Sequence, residues 1–362
     1  MSDLILDSLE IKNFRLFKHL EIERLGRVNL IVGKNSVGKT TLLEALRLYA
    51  TRGDFSVIWE ILSARDESSR ISQIGVRYEV AHQAEALSYL FHGYPEETKI
   101  SQPITVGPSG LLSKWLRITF EWESEIDMDD LLKNVYPAIS VQYGEQRALT
   151  YRLDRNVREY LASWQGDKKD SINSVFSSAG GLSERQVEQL WEKAILAGSE
   201  KEVVKALRLI NSEVQDLHFI GFKTGEESDG RIPVVSTKII EKRIPLRSMG
   251  EGMNRLLGIA LALVNAKDGI LLIDEIESGL HYSVQPDMWR LIFETAAKLN
   301  VQVFATTHSW DCIEAFQEAA EAYPEEGVLI SLRRKQQEEG IAAVLFDEKD
   351  LESVTRSYIE VR

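Results

Sequence analysis

The sequence has little cysteine and no long apolar run. Cys312 is the only cysteine among 362 residues, so no disulfide can form within the chain and a reducing compartment is expected. No stretch approaches the roughly 20 consecutive apolar residues of a membrane-spanning helix. The acids Asp3 and Asp7 argue against a secretory signal at the N-terminus. We therefore expect a cytoplasmic protein without a membrane partner.

Basic residues are also fewer than acidic residues. The chain has 43 Lys and Arg against 56 Asp and Glu, which gives a net charge of −13. This balance argues against a protein whose whole surface binds nucleic acid, although a local basic groove remains compatible with it. Hydrophobic residues make up 44% and charged residues 27%, as in ordinary globular proteins.

Periodicity in the first part of the chain predicts strands around one early helix. The apolar run Val28 to Val32 predicts a central buried strand, and the spacing from Thr41 to Ala50 predicts a helix. Alternating apolar residues at 71–80, 116–122 and 138–153 predict antiparallel strands beside them. Arg15, in a short turn between the first two strands, is interpreted as an exposed turn arginine.

The rest of the chain predicts a pair of helices followed by a compact α/β series. Glu184 to Leu196 has helical spacing with Ser183 as its N-cap, and a second helix begins after Ser199. The later series comprises a helix at 251–266, a strand at 269–273, a helix at 284–299, a strand at 301–306 and a helix from 309. We predict an N-terminal lobe at 1–155, a helical insertion at 156–213 and a C-terminal lobe at 214–362.

The strongest motif follows the first buried strand and opens the first helix. It matches G-x-x-x-x-G-K-[ST] through Gly33, Lys34, Asn35, Ser36, Val37, Gly38, Lys39 and Thr40, with Thr41 next in the helix. The glycines let backbone N–H groups surround a phosphate, and the helix N-terminus adds partial positive charge. Lys39 would reach the β- and γ-phosphates of ATP, and Thr40 would bind Mg²⁺.

Two further strands deliver polar residues at their carboxyl ends. The run Ile270 to Ile273 ends in Asp274 and Glu275, an order typical of a Walker B strand. Asp274 would hold Mg²⁺, and Glu275 would act as general base on the attacking water. His308 follows the strand at 301–306 and is predicted to contact the γ-phosphate, because open α/β sheets bind ligands at this edge.

Three segments of the sequence resemble those of a known family. Ser248 to Met253 looks like the signature segment of OLD-family ("overcoming lysogenization defect") ATPases, and Asp274 to His281 resembles their Walker B and D-loop. Ile11 to Arg15 resembles the first strand of SMC, RecF and OLD-like heads. The resemblance covers roughly residues 1–60 and 210–362. It implies an ABC-type P-loop ATPase head with a mixed, largely parallel central sheet, an antiparallel β subdomain and a helical insertion.

The same resemblance implies a dimer and a partner. In a head-to-tail dimer, Ser248, Gly250 and Gly252 would face the γ-phosphate bound by the other protomer. Small residues at a helix start agree with this, because they expose backbone N–H groups to an anion. Full-length OLD-family nucleases also carry a Toprim nuclease domain, for which the chain offers no room. The resemblance therefore implies a separately encoded nuclease effector, as in two-component anti-phage systems.

Two alternative functions remain open at the level of sequence. A RecF-like repair ATPase would bind double-stranded DNA without a nuclease partner. A scaffold that uses ATP only for assembly would have negligible turnover, although the presence of Glu275 speaks against it. A transporter ATPase is disfavoured, because the signature does not read Leu-Ser-Gly-Gly-Gln.

Overall fold

The computed structural model describes residues 4–67, 76–126, 133–153, 171–223, 228–239, 242–335 and 340–347. The helices of this part are α1 (Lys39–Ala50), α2 (Phe55–Ser63), α3 (Val76–Ser88), α4 (Glu184–Leu196), α5 (Glu200–Ile210), α6 (Glu251–Asn265), α7 (Gln285–Leu299) and α8 (Trp310–Ala320). The strands are β1 (Leu9–Phe14), β2 (Phe17–Ile22), β3 (Val28–Val32), β4 (Ile104–Gly107), β5 (Leu116–Ile126), β6 (Lys133–Tyr143), β7 (Leu149–Arg152), β8 (Ser174–Ser177), β9 (Val214–Lys223), β10 (Ser228–Thr237), β11 (Ile244–Pro245), β12 (Ile270–Ile273), β13 (Gln302–Thr306), β14 (Gly327–Arg334) and β15 (Ile341–Phe346).

A six-stranded sheet with the order β15-β14-β3-β13-β12-β8 forms the centre of the fold. Each neighbouring pair from β14 to β8 is parallel, and β15 joins the sheet as an antiparallel edge. The carboxyl ends of β3, β13 and β12 therefore meet at one edge. This edge is where an open α/β sheet binds its ligand.

The central sheet separates two hydrophobic cores, since successive side chains of a strand point to opposite faces. On β3, Leu30 and Val32 pack into a core formed with α4 to α8, whereas Ile31 packs into the other. That second core lies between the sheet, α1, α2 and the antiparallel strands. Burial on both faces accounts for the nearly continuous apolar sequence of β3 and β12.

Two antiparallel sheets complete the architecture. One has the order β2-β1-β4-β5-β6-β7, and the other has the order β11-β10-β9. The helical pair also forms as expected: the Ser183 side chain and Gln186 make a capping box at the start of α4. The predicted α/β fold with a mixed central sheet and an antiparallel part is thus confirmed. Within the described residues, no helix has the length and apolar character needed to cross a bilayer.

Two segments differ from the sequence-based prediction. Strand-like alternation predicted a strand at 71–80, but residues from Val76 onward belong to α3, and 71–75 lie outside the described residues. The following sequence is rich in Ala, Glu and Leu, and helix formation is cooperative, so the helix extends back over the alternating stretch. The prediction that 156–213 is helical is also wrong for Ser174–Ser177, which pairs with β12 as a strand of the central sheet. The division into three parts stays a prediction.

Arg15 is buried, contrary to its interpretation as an exposed turn residue. Its side chain is only 1% exposed, and its guanidinium forms ion pairs with Glu44 on α1 and Glu67 after α2. Arg65 pairs with the same Glu44 carboxylate. Burial raises the pKa of Glu44 above its ordinary value, and the two arginines oppose that rise. This ion-pair network connects the β1–β2 turn to the helix that follows the P-loop.

Candidate active site

The glycine-rich loop between β3 and α1 has the geometry of a phosphate-binding turn. Gly38 directly precedes α1 with a φ of 97°, in the left-handed region that favours glycine. A Cβ at this position would also lie 2.8 Å from Cζ of Phe17. Conformation and packing thus both favour glycine before α1, and among the described residues no side chain caps the first N–H groups of this helix, which are the donors of an anion site.

Lys39 lies over this loop. Its Nζ donates to the carbonyl oxygens of Gly33 at 2.8 Å and Lys34 at 3.3 Å. Burial lowers the pKa of Lys39, and the nearby carboxylates of Asp274 and Glu275 oppose the decrease. The amine thus contacts the phosphate-binding loop within the electrostatic influence of Asp274 and Glu275, the acid pair.

Asp274 connects the P-loop with the neighbouring strands. Thr40 donates its hydroxyl to Oδ2 of Asp274 at 2.9 Å, and Thr306 donates to Oδ1 at 2.6 Å. Asp274 itself is only 8% exposed. Buried acids need such donors, and both contacts hold the carboxylate beside the predicted Mg²⁺ ligand Thr40.

Glu275 has an unusual backbone conformation. Its φ of 46° lies in the left-handed region, which is uncommon for a residue with a side chain. The Glu275 N–H donates to the Thr306 hydroxyl at 2.8 Å. On the side chain, Ser278 donates to Oε2 at 3.3 Å, and the carboxylate remains 40% exposed. A half-exposed carboxylate at the sheet edge can accept a proton from water.

His308 lies beside two carboxylates. Its Nδ1 is 3.7 Å from Oε1 of Glu275 and 3.8 Å from Oε1 of Glu277. The His308 backbone N–H donates to the same Glu277 oxygen at 3.1 Å. The structure thus brings His308, Glu275 and the P-loop residues to one edge of the sheet.

The signature residues lie elsewhere. Ser248 and Gly250 are exposed, in and just after a short 3-10 helix that leads into α6. Gly252 packs near the segment after the acid pair: a Cβ there would lie 3.7 Å from the Gly279 carbonyl oxygen. The signature therefore contacts the D-loop segment of its own chain and presents its helix start to solvent.

The residues present fit Mg-ATP. The glycine-rich loop, the α1 N-terminus and Lys39 supply donors and positive charge for phosphates. The Thr40 hydroxyl and the Asp274 carboxylate are adjacent hard oxygen ligands, the type that Mg²⁺ prefers alongside water and phosphate oxygens.

Sequence reasoning missed three polar residues near this site. Thr306 contacts both acids, Glu277 accepts from the His308 backbone, and Arg255 donates to the backbone of the acid pair. Arg255 has a sequence signal, since it is a charge directly before the apolar run of α6. The role of Thr306 depends on the pairing of β13 with β12, which the sequence does not display.

Comparison with known proteins places these features in a family. The model of the AAA ATPase domain family matches residues 5–136 and 131–313. The ATP/GTP phosphatase of Helicobacter pylori is 25% identical over 339 residues, covering 86% of this chain and 87% of that protein. The OLD nuclease of Thermus scotoductus is 27% identical over 343 residues, covering 84% of this chain and 59% of that protein. Endonuclease GajA of Bacillus cereus is 24% identical over 336 residues, covering 83% and 55% respectively.

The chain spans little more than half the length of the two nucleases that it matches. Among solved structures, the SMC head bound to the C-terminal winged-helix domain of ScpA has a TM-score of 0.49 and 14% identity, and covers 94% of this chain and 98% of its own. This TM-score is below 0.5, so the fold is assigned from the strand order of the central sheet instead. The family match includes the P-loop, the signature segment, the acid pair and His308. The chain therefore belongs to the AAA ATPase domain family.

Proposed function

We propose that this protein binds Mg-ATP at the edge of its central sheet and hydrolyses it to ADP and phosphate. The observation that carries the proposal is the 2.9 Å contact between the Thr40 hydroxyl and Asp274. It joins the phosphate-binding loop to the acid pair, which is the arrangement that phosphoryl transfer to water requires. The similarity to the Helicobacter pylori ATP/GTP phosphatase supports the same activity.

Each residue has a distinct part in this proposal. The loop from Gly33 to Thr41 binds the phosphates, and Lys39 neutralises charge on the β- and γ-phosphates. Thr40 and Asp274 would hold Mg²⁺, which would supply further neutralisation of phosphate charge. Glu275 accepts a proton from the attacking water, and His308 donates to the γ-phosphate.

Two substitutions test the assignment. Glu275→Gln removes the general base while keeping the size of the side chain, so we expect ATP binding to persist and turnover to fall by roughly 10²- to 10⁴-fold. Lys39→Ala should weaken nucleotide binding itself. Binding is measured with a fluorescent ATP analogue, and phosphate release is measured with both ATP and GTP.

The matched control is Glu318→Gln, an acid of α8 that is 54% exposed and pairs with Arg290 on the surface. This variant should hydrolyse ATP like the wild type. Wild-type turnover by Glu275→Gln would show that another group acts as the base.

We further propose that the protein works as a head-to-tail dimer around ATP. The exposed position of Ser248 and Gly250 supports this, because the α6 start is open to a second molecule. In this arrangement Ser248, Gly250 and Gly252 donate toward the phosphate that the partner's P-loop binds. ATP then closes the dimer, and hydrolysis reopens it, which gives two states that a partner can distinguish.

The dimer is proposed to control a separately encoded nuclease effector in defence against foreign DNA. The similarity to the OLD nuclease and to endonuclease GajA supports a link with nuclease action. The test is native mass spectrometry of a tagged Glu275→Gln copy purified from its own host. Recovery of a nuclease in fixed ratio supports this function, whereas a homodimer alone contradicts it.

A DNA-repair function is the second candidate. Its support is local similarity to RecF proteins, such as 51% identity over 41 residues with RecF of Clostridioides difficile. In that case double-stranded DNA should stimulate ATP turnover by the purified homodimer without any effector.

A further inference from the structure

Arg255 is a buried cation on the helix that follows the signature. It lies in the first half of α6, among apolar side chains, and is 9% exposed. Its guanidinium donates to three backbone carbonyl oxygens: Ser178 at 3.3 Å, Asp274 at 3.3 Å and Glu275 at 3.0 Å. One side chain thus joins α6 to the turn after β8 and to the acid pair after β12.

Burying the charge of Arg255 costs free energy, so the groups that surround it matter. Within the described part of the chain, Nε of Arg255 is buried and has no hydrogen-bond partner. Burial lowers the pKa of its guanidinium, and the carboxylates of Glu277, Asp274 and Glu275 oppose that change. An arginine nevertheless stays protonated in proteins. A permanently charged group is therefore held by carbonyl dipoles beside the acids of the active site.

Arg255 contacts a strained part of the site, the backbone of Glu275. The left-handed backbone of Glu275 costs free energy and persists only where its surroundings hold it. The Thr306 hydroxyl holds the Glu275 N–H from one side, and Arg255 holds the Glu275 carbonyl oxygen from the other. Together the two contacts fix the direction in which the Glu275 carboxylate leaves the backbone.

The same arginine is joined to the signature by a short length of helix. Gly252 and Arg255 are three residues apart on α6, so they lie on neighbouring positions of one helical face. A displacement at the start of α6 therefore moves the guanidinium with it. In the dimer proposed above, the start of α6 touches the nucleotide that the partner binds.

We propose that Arg255 is a positioning residue that links the signature helix to the backbone of Asp274 and Glu275, so that contact at the signature aligns the general base in the same chain. This inference rests on the proposed ATPase function and on Glu275 as its base. It adds a physical route by which one nucleotide site senses the occupation of the other.

A cavity of about 550 Å³ adjoins the Arg255 side chain. Its lining includes Gly181, Ser278, Gly279 and Arg231. Gly181 has a φ of +83°, and a Cβ there would lie 2.8 Å from Nη1 of Arg255, so the turn after β8 closes directly over the guanidinium. The cavity gives a small cation access to this position when the side chain is shortened.

The first experiment compares Arg255→Met, Arg255→Lys and Arg231→Met. Arg231 lines the same cavity but is 51% exposed and pairs with Glu188 and Glu192, so it is the matched control. We expect Arg255→Met to lower kcat by roughly 10- to 100-fold, because small misplacement of a catalytic group has effects of that size. The dissociation constant for ATP should change less than about 3-fold, and Arg255→Lys should fall between Met and wild type.

Thermal unfolding of each variant shows whether it folds, and Arg255→Lys decides alone if Arg255→Met does not fold. The second experiment adds millimolar guanidinium chloride to Arg255→Ala, whose shortened side chain leaves room for the cation. Recovery of kcat without a change in ATP affinity is expected, whereas Arg231→Met should show no such response.

Three results would overturn the proposal: unchanged kcat in Arg255→Lys and Arg255→Met, a loss of ATP affinity that matches the loss of kcat, or an equal loss in Arg231→Met. Failure of the proposed function looks different. In that case the wild type itself has no ATP turnover that Glu275→Gln removes.

Discussion

Thr306 shares a single hydroxyl between the two acids of the site. It donates to Oδ1 of Asp274 and accepts the backbone N–H of Glu275. Thr306→Val keeps the shape but removes both contacts, and leaves the Asp274 oxygen and the Glu275 N–H without partners. We expect a loss of about 1–3 kcal/mol in the free energy of unfolding and a higher Mg²⁺ requirement for turnover. Urea unfolding and Mg²⁺ titration of kcat measure these effects, and wild-type values in both would exclude this role.

Cys312 provides a natural reporter of opening. Its side chain is buried, and burial raises the pKa of its thiol to about 12. The thiolate is the reactive form, so at pH 8 on the order of one thiol in 10⁴ is reactive even where reagent can enter. We expect a maleimide to label the native protein only through unfolding, and Mg-ATP to slow labelling because it stabilises the native state. Rapid labelling of the native protein would contradict the buried environment, and Cys312→Ser is the blank because the chain has no other cysteine.

At the scale of elements, the ion-pair network of Arg15 fixes the β1–β2 turn against α1. Arg15→Met removes the central cation and leaves the buried Glu44 with Arg65 alone. We expect a loss of about 3–5 kcal/mol in the free energy of unfolding, because breaking a buried pair leaves a charge uncompensated. The control Arg290→Met breaks an exposed pair with Glu318 and should cost less than about 1 kcal/mol. Equal losses of unfolding free energy for Arg15→Met and Arg290→Met in urea would contradict a special role for the buried ion pairs.

Elements with strong local signals were predictable from sequence. The P-loop and the acid pair follow apolar strands that are buried on both faces. Each motif and the strand before it are therefore adjacent in the sequence and can be recognised together. Strand β8 has only four residues and gains its stability from pairing with β12, a partner about 96 residues away. Such pairing leaves no local pattern. The segment at 76–80 alternated like a strand, yet the helix-forming sequence after it decided the structure.

Contacts of single side chains across elements were beyond sequence reasoning for a related reason. Arg255 reads as an isolated charge on an apolar helix, and its partners are backbone carbonyls just after β8 and β12 that any residue would supply. Arg15 has a turn-like sequence environment, but its burial results from three elements that meet around it. In both cases the arginine supplies the charge, and the tertiary arrangement supplies the partners that give it a role.

At the scale of the whole molecule, a head-to-tail dimer makes a complementation prediction. Lys39→Ala damages the P-loop, and Ser248→Arg blocks the signature that the partner needs. Each variant alone should be inactive, because both composite sites of its homodimer carry the defect. In a mixed dimer one site combines the intact P-loop of one chain with the intact signature of the other. An equal mixture should recover about a quarter of wild-type ATP turnover if chains pair at random.

Sedimentation in the presence of ATP measures whether the mixture dimerises, and phosphate release measures its activity. A mixture that forms dimers but stays inactive would contradict the composite site. The control is a mixture of Lys39→Ala with Glu318→Gln, whose surface acid has no part in either site. In that mixture only the Glu318→Gln chain retains a functional P-loop.

The division of the protein into two cores has a consequence for how its sequence tolerates length changes. Leu30 and Ile31 are neighbours in β3, yet they anchor opposite layers of the molecule. Inserting or deleting one residue in this strand would reverse the side of every residue that follows and send each into the wrong layer. The phosphate-binding loop begins directly after the strand, so the side of the sheet that each β3 residue faces also determines how the loop leaves the sheet. The number of residues in β3 therefore fixes where the phosphate-binding loop begins. Selection for correct packing of the two cores also preserves the position of that loop.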